Sequence, residues 1–245
     1  TAQYECRKGN PNCDVDMAPP PCDQTISPQD SNWGKITGNP QSRVFCLLPG
    51  DHSSKGVLRL DFSGTASARK WLRYYSPSDD GKHPAAQTQA QRARVVALEL
   101  VTAHYWVIQR LSLQNNGSPW SAGIQFNLWQ QNLASNYNIV DTILSEGHPV
   151  EVDFGGTGSA SGTNEGNTIQ NSVLRDLLFS AGGEPHCISL GNSAHTRVVN
   201  NEIYHCQKAV AVGNGIDNVK GTVIENNDLY TTPAQYTDCN GNYDP

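Results

Sequence analysis

Apolar residues in the C-terminal part of this chain fall in pairs and triplets at period two, separated by Gly-Asn and Asn-Asn steps. From His186 to Tyr230 one unit is written nearly twice. CISLGN is answered by AVAVGN, and RVVNNEIY by TVIENNDLY. Leu190 corresponds to Val212 (212 − 190 = 22) and Asn200 to Asn226 (226 − 200 = 26). Each unit predicts a short strand, a Gly-Asn turn, a second strand, an Asn-Asn corner and a third strand. A repeat of roughly 20–30 residues built from short strands is the signature of a stacked solenoid.

The corner can be followed upstream to Asn171, Asp141 and Arg110, with an apolar residue two positions before each corner: Ile108, Ile139, Ile169, Val198 and Ile224. The first strand of each coil falls at Val95–Leu100, Gly123–Phe126, Val150–Phe154, Cys187–Leu190 and Ala209–Val212. About five coils then cover residues 94–232. Period-two strands this short bury one face and wet the other, and they gain partners only from coils above and below. Asn tolerates the left-handed backbone of a tight corner. A β-sandwich, with turn signals about every 8–12 residues, is the competing reading.

This style of repeat resembles the right-handed parallel β-helix superfamily, the pectin-lyase-like group. The resemblance covers the C-terminal coils and implies an all-β, right-handed parallel β-helix solenoid. It also implies that the exterior face of the first strands serves as a saccharide groove.

The rest of the chain completes the domain expectations. Residues 1–42, rich in Cys and Pro, read as an N-terminal arm lying along the solenoid, stapled by disulfides; Cys6 and Cys13 would close a small loop. Residues 43–245 read as the β-helix: a capping region 43–93, regular coils 94–232 and a loop 233–245. Val44, Phe45, Leu47 and Leu48 are apolar enough to plug the first open end, which would otherwise recruit other chains. No comparable plug follows the last coil, so a C-terminal segment or a partner chain is expected to cover that edge. Cys187 and Cys206 fall on adjacent coils, about 4.8 Å apart, within disulfide reach; Cys239 is left over.

Composition narrows the function classes. Seven cysteines suit an oxidising compartment, so the protein is expected to be secreted or held at the cell surface. A net charge of −6 argues against a nucleic-acid partner, and a polysaccharide is the expected one. No apolar run is long enough for a membrane span.

Alternation along the first strands turns Glu99, Gln125, Ser189 and the pair Glu151 and Asp153 outward, with His148, His186 and Lys208 at the strand entrance. Alternating acids on a strand are often a solvated face and nothing more. On a saccharide groove they gain a use. In uronate lyase chemistry a cation neutralises the carboxylate and a basic side chain takes the C5 proton. On that face Lys208, His186 and Arg197 are the basic candidates for catalysis, and Gln125, Trp129 and Ser189 the candidate substrate contacts, although no lyase or hydrolase signature of the group carries over onto them. Glu99, Glu151 and Asp153 become ligands for Ca²⁺. Hydrolysis by a carboxyl pair and glycan binding without turnover, as in an adhesin, are the alternatives. Trp106, Trp120, Trp129 and Tyr137 lie near that face and could stack on sugar rings, with core packing or loop anchoring the default for each and Trp129 and Trp120 best placed for exposure; His195 is read as a structural turn residue.

Overall fold

The computed structural model describes residues 11–12, 15–75, 92–115, 122–126, 133–148, 150–154, 163–175, 186–213 and 219–230. Every strand pair among them is parallel, and the strands sort into three long sheets and one short one. Sheet I contains six strands: Leu58–Leu60, Leu98–Leu100, Ala122–Phe126, Val150–Asp153, His186–Leu190 and Lys208–Val212. Sheet II contains eight, from Gln24–Ile26 to Val223–Glu225, and sheet III seven, from Gly50–Asp51 to Asp228–Tyr230. The chain visits I, II and III in turn and then rises one layer. That is a parallel β-helix.

Side chains facing the axis build one continuous core, with Ile108, Val140, Ile169 and Val198 stacked in register along sheet II. The expected column used Ile139 in place of Val140. Ile139 instead faces out, against Val107 and Thr168. The segment NIVDTIL carries two adjacent apolar residues, so its sequence fits both registers. The corner shifts with it: Thr142, not Asp141, has the left-handed backbone, in column with Arg110, Asn171, Asn200 and Asn226 (φ 51–60°). Asp141 lies on the outer face of sheet II and accepts hydrogen bonds from Gln109, Gln170 and Asn171. Val95–Leu100 is likewise two strands, Ala93–Val95 in sheet III and Leu98–Leu100 in sheet I.

Beside several of the left-handed corner residues stands a polar one that is buried. Asn201 Oδ1 accepts from Ser172 N (3.0 Å), and its Nδ2 donates to Ile169 O (3.0 Å) and Asn227 Oδ1 (2.9 Å). At the corner entering sheet II, Asn167 Oδ1 accepts from Asn138 N (2.9 Å), and its Nδ2 donates to Ser135 O (2.8 Å). These side chains satisfy backbone groups that the corners take out of the strand ladders.

The first end is closed. Ile36, on the short helix Gly34–Thr37, and Trp33 join Ile26, Phe45 and Leu47 in the core. Val15, Met17 and Cys22 pack on the outside of sheet II against Val44, Cys46, Trp71, Val107 and Ile139, and the Cys22–Cys46 disulfide fastens them there. At the other end Ile224, Leu229 and Tyr230 are 41%, 51% and 44% exposed. A second disulfide, Cys187–Cys206, joins consecutive coils near that end, as the repeat arithmetic predicts. Cys6, Cys13, Cys239 and the loop 233–245 lie outside the described residues.

Two tests follow from this construction. Asn167→Ala strands the buried Asn138 N–H and Ser135 carbonyl, at about 1–3 kcal/mol for each group. Chemical denaturation should show a midpoint loss of that order, whereas Asn200→Gly, at a left-handed and exposed position, should be close to neutral. His52 is buried, stacked on Trp33 (5.9 Å), with Nε2 on Leu48 O (2.9 Å). Burial pushes its imidazole below the ordinary value of 6.5, against the pull of the Leu48 carbonyl. The folded chain then binds fewer protons than the unfolded one, so this group's contribution to stability is lost as pH falls below about 6.5. His52→Gln should flatten the pH dependence of the unfolding midpoint in that window.

Candidate functional site

The outer face of sheet I is built by register. Arg59, Glu99, Gln125, Asp153, Ser189 and Ala211 are successive partners in one row. Adjacent strands lie about 4.8 Å apart, so Gln125 and Ser189 stand one rung on either side of Asp153. At the strand entrance His186 pairs with Lys208. Arg59 and Lys208 are exposed, Glu99 and Gln125 half-buried, and Asp153, His186 and Ser189 buried.

Three expectations are corrected or displaced by this geometry. Glu151 does not face out with Asp153. The ladder skips one residue in each strand, pairing Ala122 with Val150 and then Ile124 with Val152. The skipped residues are Gly123, Glu151, Cys187 and Ala209, and alternation fails at Glu151. Glu151 is wholly buried, hydrogen-bonded to Ser145 Oγ and to His148 N (3.0 Å). Ser145 itself lies between the core residues Leu113 and Leu174. Glu99 and Asp153 stand two rungs apart in the outer row, and Glu151, held by Ser145 and His148 behind the sheet, is not on that face with them. Among the described residues no group of three or more His, Cys, Asp or Glu is placed to hold an ion, so Glu99, Glu151 and Asp153 do not fit a Ca²⁺ site. Arg197 belongs to sheet II, between Thr168 and Val223, on a different wall from His186 and Lys208. Trp129 and Trp120 lie outside the described residues, and Trp106 is core.

The sequence reading missed a second column. At the corner entering sheet II, Tyr105, Tyr137, Gly166, His195 and Gly221 all have left-handed backbones (φ 59°, 57°, 65°, 51° and 62°). Tyr105 and Tyr137 stack (5.2 Å), and Glu165 Oε1 accepts from His195 Nδ1 (2.5 Å). The signal was present. His195 follows Gly166 by 29 residues and precedes Gly221 by 26, the same spacings that relate Asn171, Asn200 and Asn226.

No family model and no curated protein matches the chain. Among solved structures it is similar to alginate lyase from Paenibacillus sp. str. FPU-7, with 14% identity, TM-score 0.44, and 84% of this chain and 76% of that one covered. An arginine-to-alanine variant of the PL6 family alginate lyase AlyGC has 11% identity and TM-score 0.41, over 84% of this chain and 38% of that one. Pectin methylesterase from Aspergillus niger has 14% identity and TM-score 0.38, over 88% and 90%.

Gly123 tests the packing behind the sheet I face. A Cβ there would stand 2.7 Å from Ser145 Oγ and 2.8 Å from Glu151 O. Gly123→Ala should therefore lower the unfolding free energy by about 1–3 kcal/mol, read as a shifted urea midpoint at constant slope.

Proposed function

We propose that this chain is a secreted, polysaccharide-active β-helix protein that cleaves a uronate-containing glycan by β-elimination along the outer face of sheet I. The observation that carries the reading is the unbroken polar row from Glu99 through Gln125 and Asp153 to Ser189, with His186 and Lys208 paired at its entrance. Gln125 and Ser189 supply an amide and a hydroxyl for sugar hydroxyls. The Lys208 ammonium meets the uronate carboxylate, which makes the C5 proton more acidic. His186, its neighbour in register, takes that proton. The C5 electrons form the C4–C5 double bond, the C4–O4 bond breaks, and the departing O4 takes a proton from solvent. The disulfides Cys22–Cys46 and Cys187–Cys206 support an oxidising compartment. Among the described residues no helix is long and apolar enough to cross a membrane.

A second reading, glycan binding without turnover, is favoured by one observation: the acidic residues of the sheet I strands do not converge on one point. A panel of alginate, pectate and glycosaminoglycans, each with and without Ca²⁺, separates the two. Ultraviolet absorbance from unsaturated uronate is expected on at least one polymer. Lys208→Gln should lower kcat/KM about 10²–10⁴-fold at an unchanged unfolding midpoint. Binding with no absorbance on any polymer overturns the lyase reading in favour of the second.

A further inference from the structure

The corner entering sheet II carries chemistry that the sheet I face does not use. His195 and Glu165 are each about one-third exposed at the side chain (34% and 33%). A carboxylate only accepts, so His195 Nδ1 donates to Glu165, and the lone pair of the neutral ring lies on Nε2. Among the described residues no group bonds to Nε2. In the corner column His195 has a glycine on either side, Gly166 and Gly221, so the column positions flanking 195 carry no side chain and Glu165, beside Gly166, is the group that meets the imidazole. Holding a histidine left-handed costs energy that a glycine there would not. The backbone is held there by His195 N donating to Lys220 O (2.7 Å).

Tyr137 completes the cluster. Its N–H donates to Glu165 O (2.9 Å), and its carbonyl accepts from Arg69 Nη1 (2.7 Å). Its ring is wedged between Tyr105 and Gly166, where a Cβ would come within 2.6 Å of it. Burial and, next, the charge of Glu165 push the phenol above its ordinary value, so it keeps its proton in neutral solution. A braced carboxylate, an imidazole oriented by it and a protonated phenol thus stand within three consecutive coils.

We propose that Glu165, His195 and Tyr137 form an acid–base site for glycan cleavage on this corner, separate from the sheet I entrance. The proposal rests on the reading of the chain as a uronate lyase and names a different place for its proton transfers. His195 Nε2 takes the C5 proton, and its electron pair becomes the C4–C5 double bond. The C4–O4 bond breaks, and the departing O4 takes the Tyr137 hydroxyl proton. Glu165 is a positioning residue that stabilises the imidazolium. Lys220, exposed on the next rung after Ala194, is the nearest cation along the strand row of Glu165 for the uronate carboxylate. One scissile bond cannot use both sites. Lys208 opens a five-residue strand of sheet I, itself roughly 13 Å long, and the corner column lies past the far end of these strands.

The test uses the full chain and the polymer panel already described, with His195→Gly, Glu165→Gln, Tyr137→Phe and Lys208→Gln measured side by side. Glycine suits the left-handed backbone at 195, so His195→Gly keeps the fold and leaves a hole the size of an imidazole; His195→Asn, also tolerant of that backbone, is the second variant. His195→Gly is expected to lose about 10²–10⁴-fold in turnover, with activity returning in part on addition of free imidazole. Tyr137→Phe is expected to lose turnover with the stack intact. Full activity of His195→Gly overturns the proposal, and a concurrent loss in Lys208→Gln leaves the sheet I reading standing. Loss in His195→Gly that imidazole does not restore, with Glu165→Gln fully active, also overturns it, since that is the pattern of a structural role. A wild-type chain silent on every polymer overturns both readings.

Discussion

The structure depends on how its corners satisfy the backbone. A strand three residues long cannot hydrogen-bond itself, and a coil gains stability only by lying in register on its neighbours. The strands achieve that by ladder pairing. Several corners need a side chain that both donates and accepts, repeated from one layer to the next. Asn138 and Asn167 meet the need where the chain enters sheet II, and Ser172, Asn201 and Asn227 where it leaves. Each is preceded by a left-handed residue: Tyr137, Gly166, Asn171, Asn200 and Asn226. The pairing of one strained residue with one buried amide or hydroxyl fixes the register on which every core contact rests.

That arrangement also decides where chemistry can be displayed. Outward strand positions form rows at the interstrand spacing, as with Gln125, Asp153 and Ser189 on sheet I. Left-handed corner positions form columns of their own, and because the backbone there is pinned from the layer above, a side chain is held to a narrow range of directions. His195 and Tyr137 gain their relation to Glu165 from this, not from the strands.

Much of the architecture was legible because the repeat is written in residue types that have one physical use each. Asn200 and Asn226 announced corners, and Cys187 and Cys206 announced adjacent coils. The neighbouring Asn201 and Asn227 gave no separate signal, since a sequence does not distinguish an amide that turns the chain from one that is buried beside the turn. Asp141 and Thr142 were exchanged because Ile139 and Val140 are both apolar. Glu151 was misplaced because period-two alternation assumes an unbroken ladder, and the ladder skips Gly123, Glu151 and Cys187. Arg197 was grouped with Lys208 from proximity in the chain, although consecutive strands of one coil lie on different walls.

The two disulfides bear on how the array comes apart. In a stack held by nearest-neighbour contacts, layers loosen from whichever end has least to lose. Among the described residues Trp33 and Ile36 seal one end, while Ile224, Leu229 and Tyr230 on the last described strands are exposed. The Cys187–Cys206 bond ties the strand entrance of one layer to the turn into the next, so separation of those two layers meets a covalent stop. The bond therefore acts less as a global staple than as a local clasp between the layer of His186 and the layer of Lys208, whose strands pair beside it.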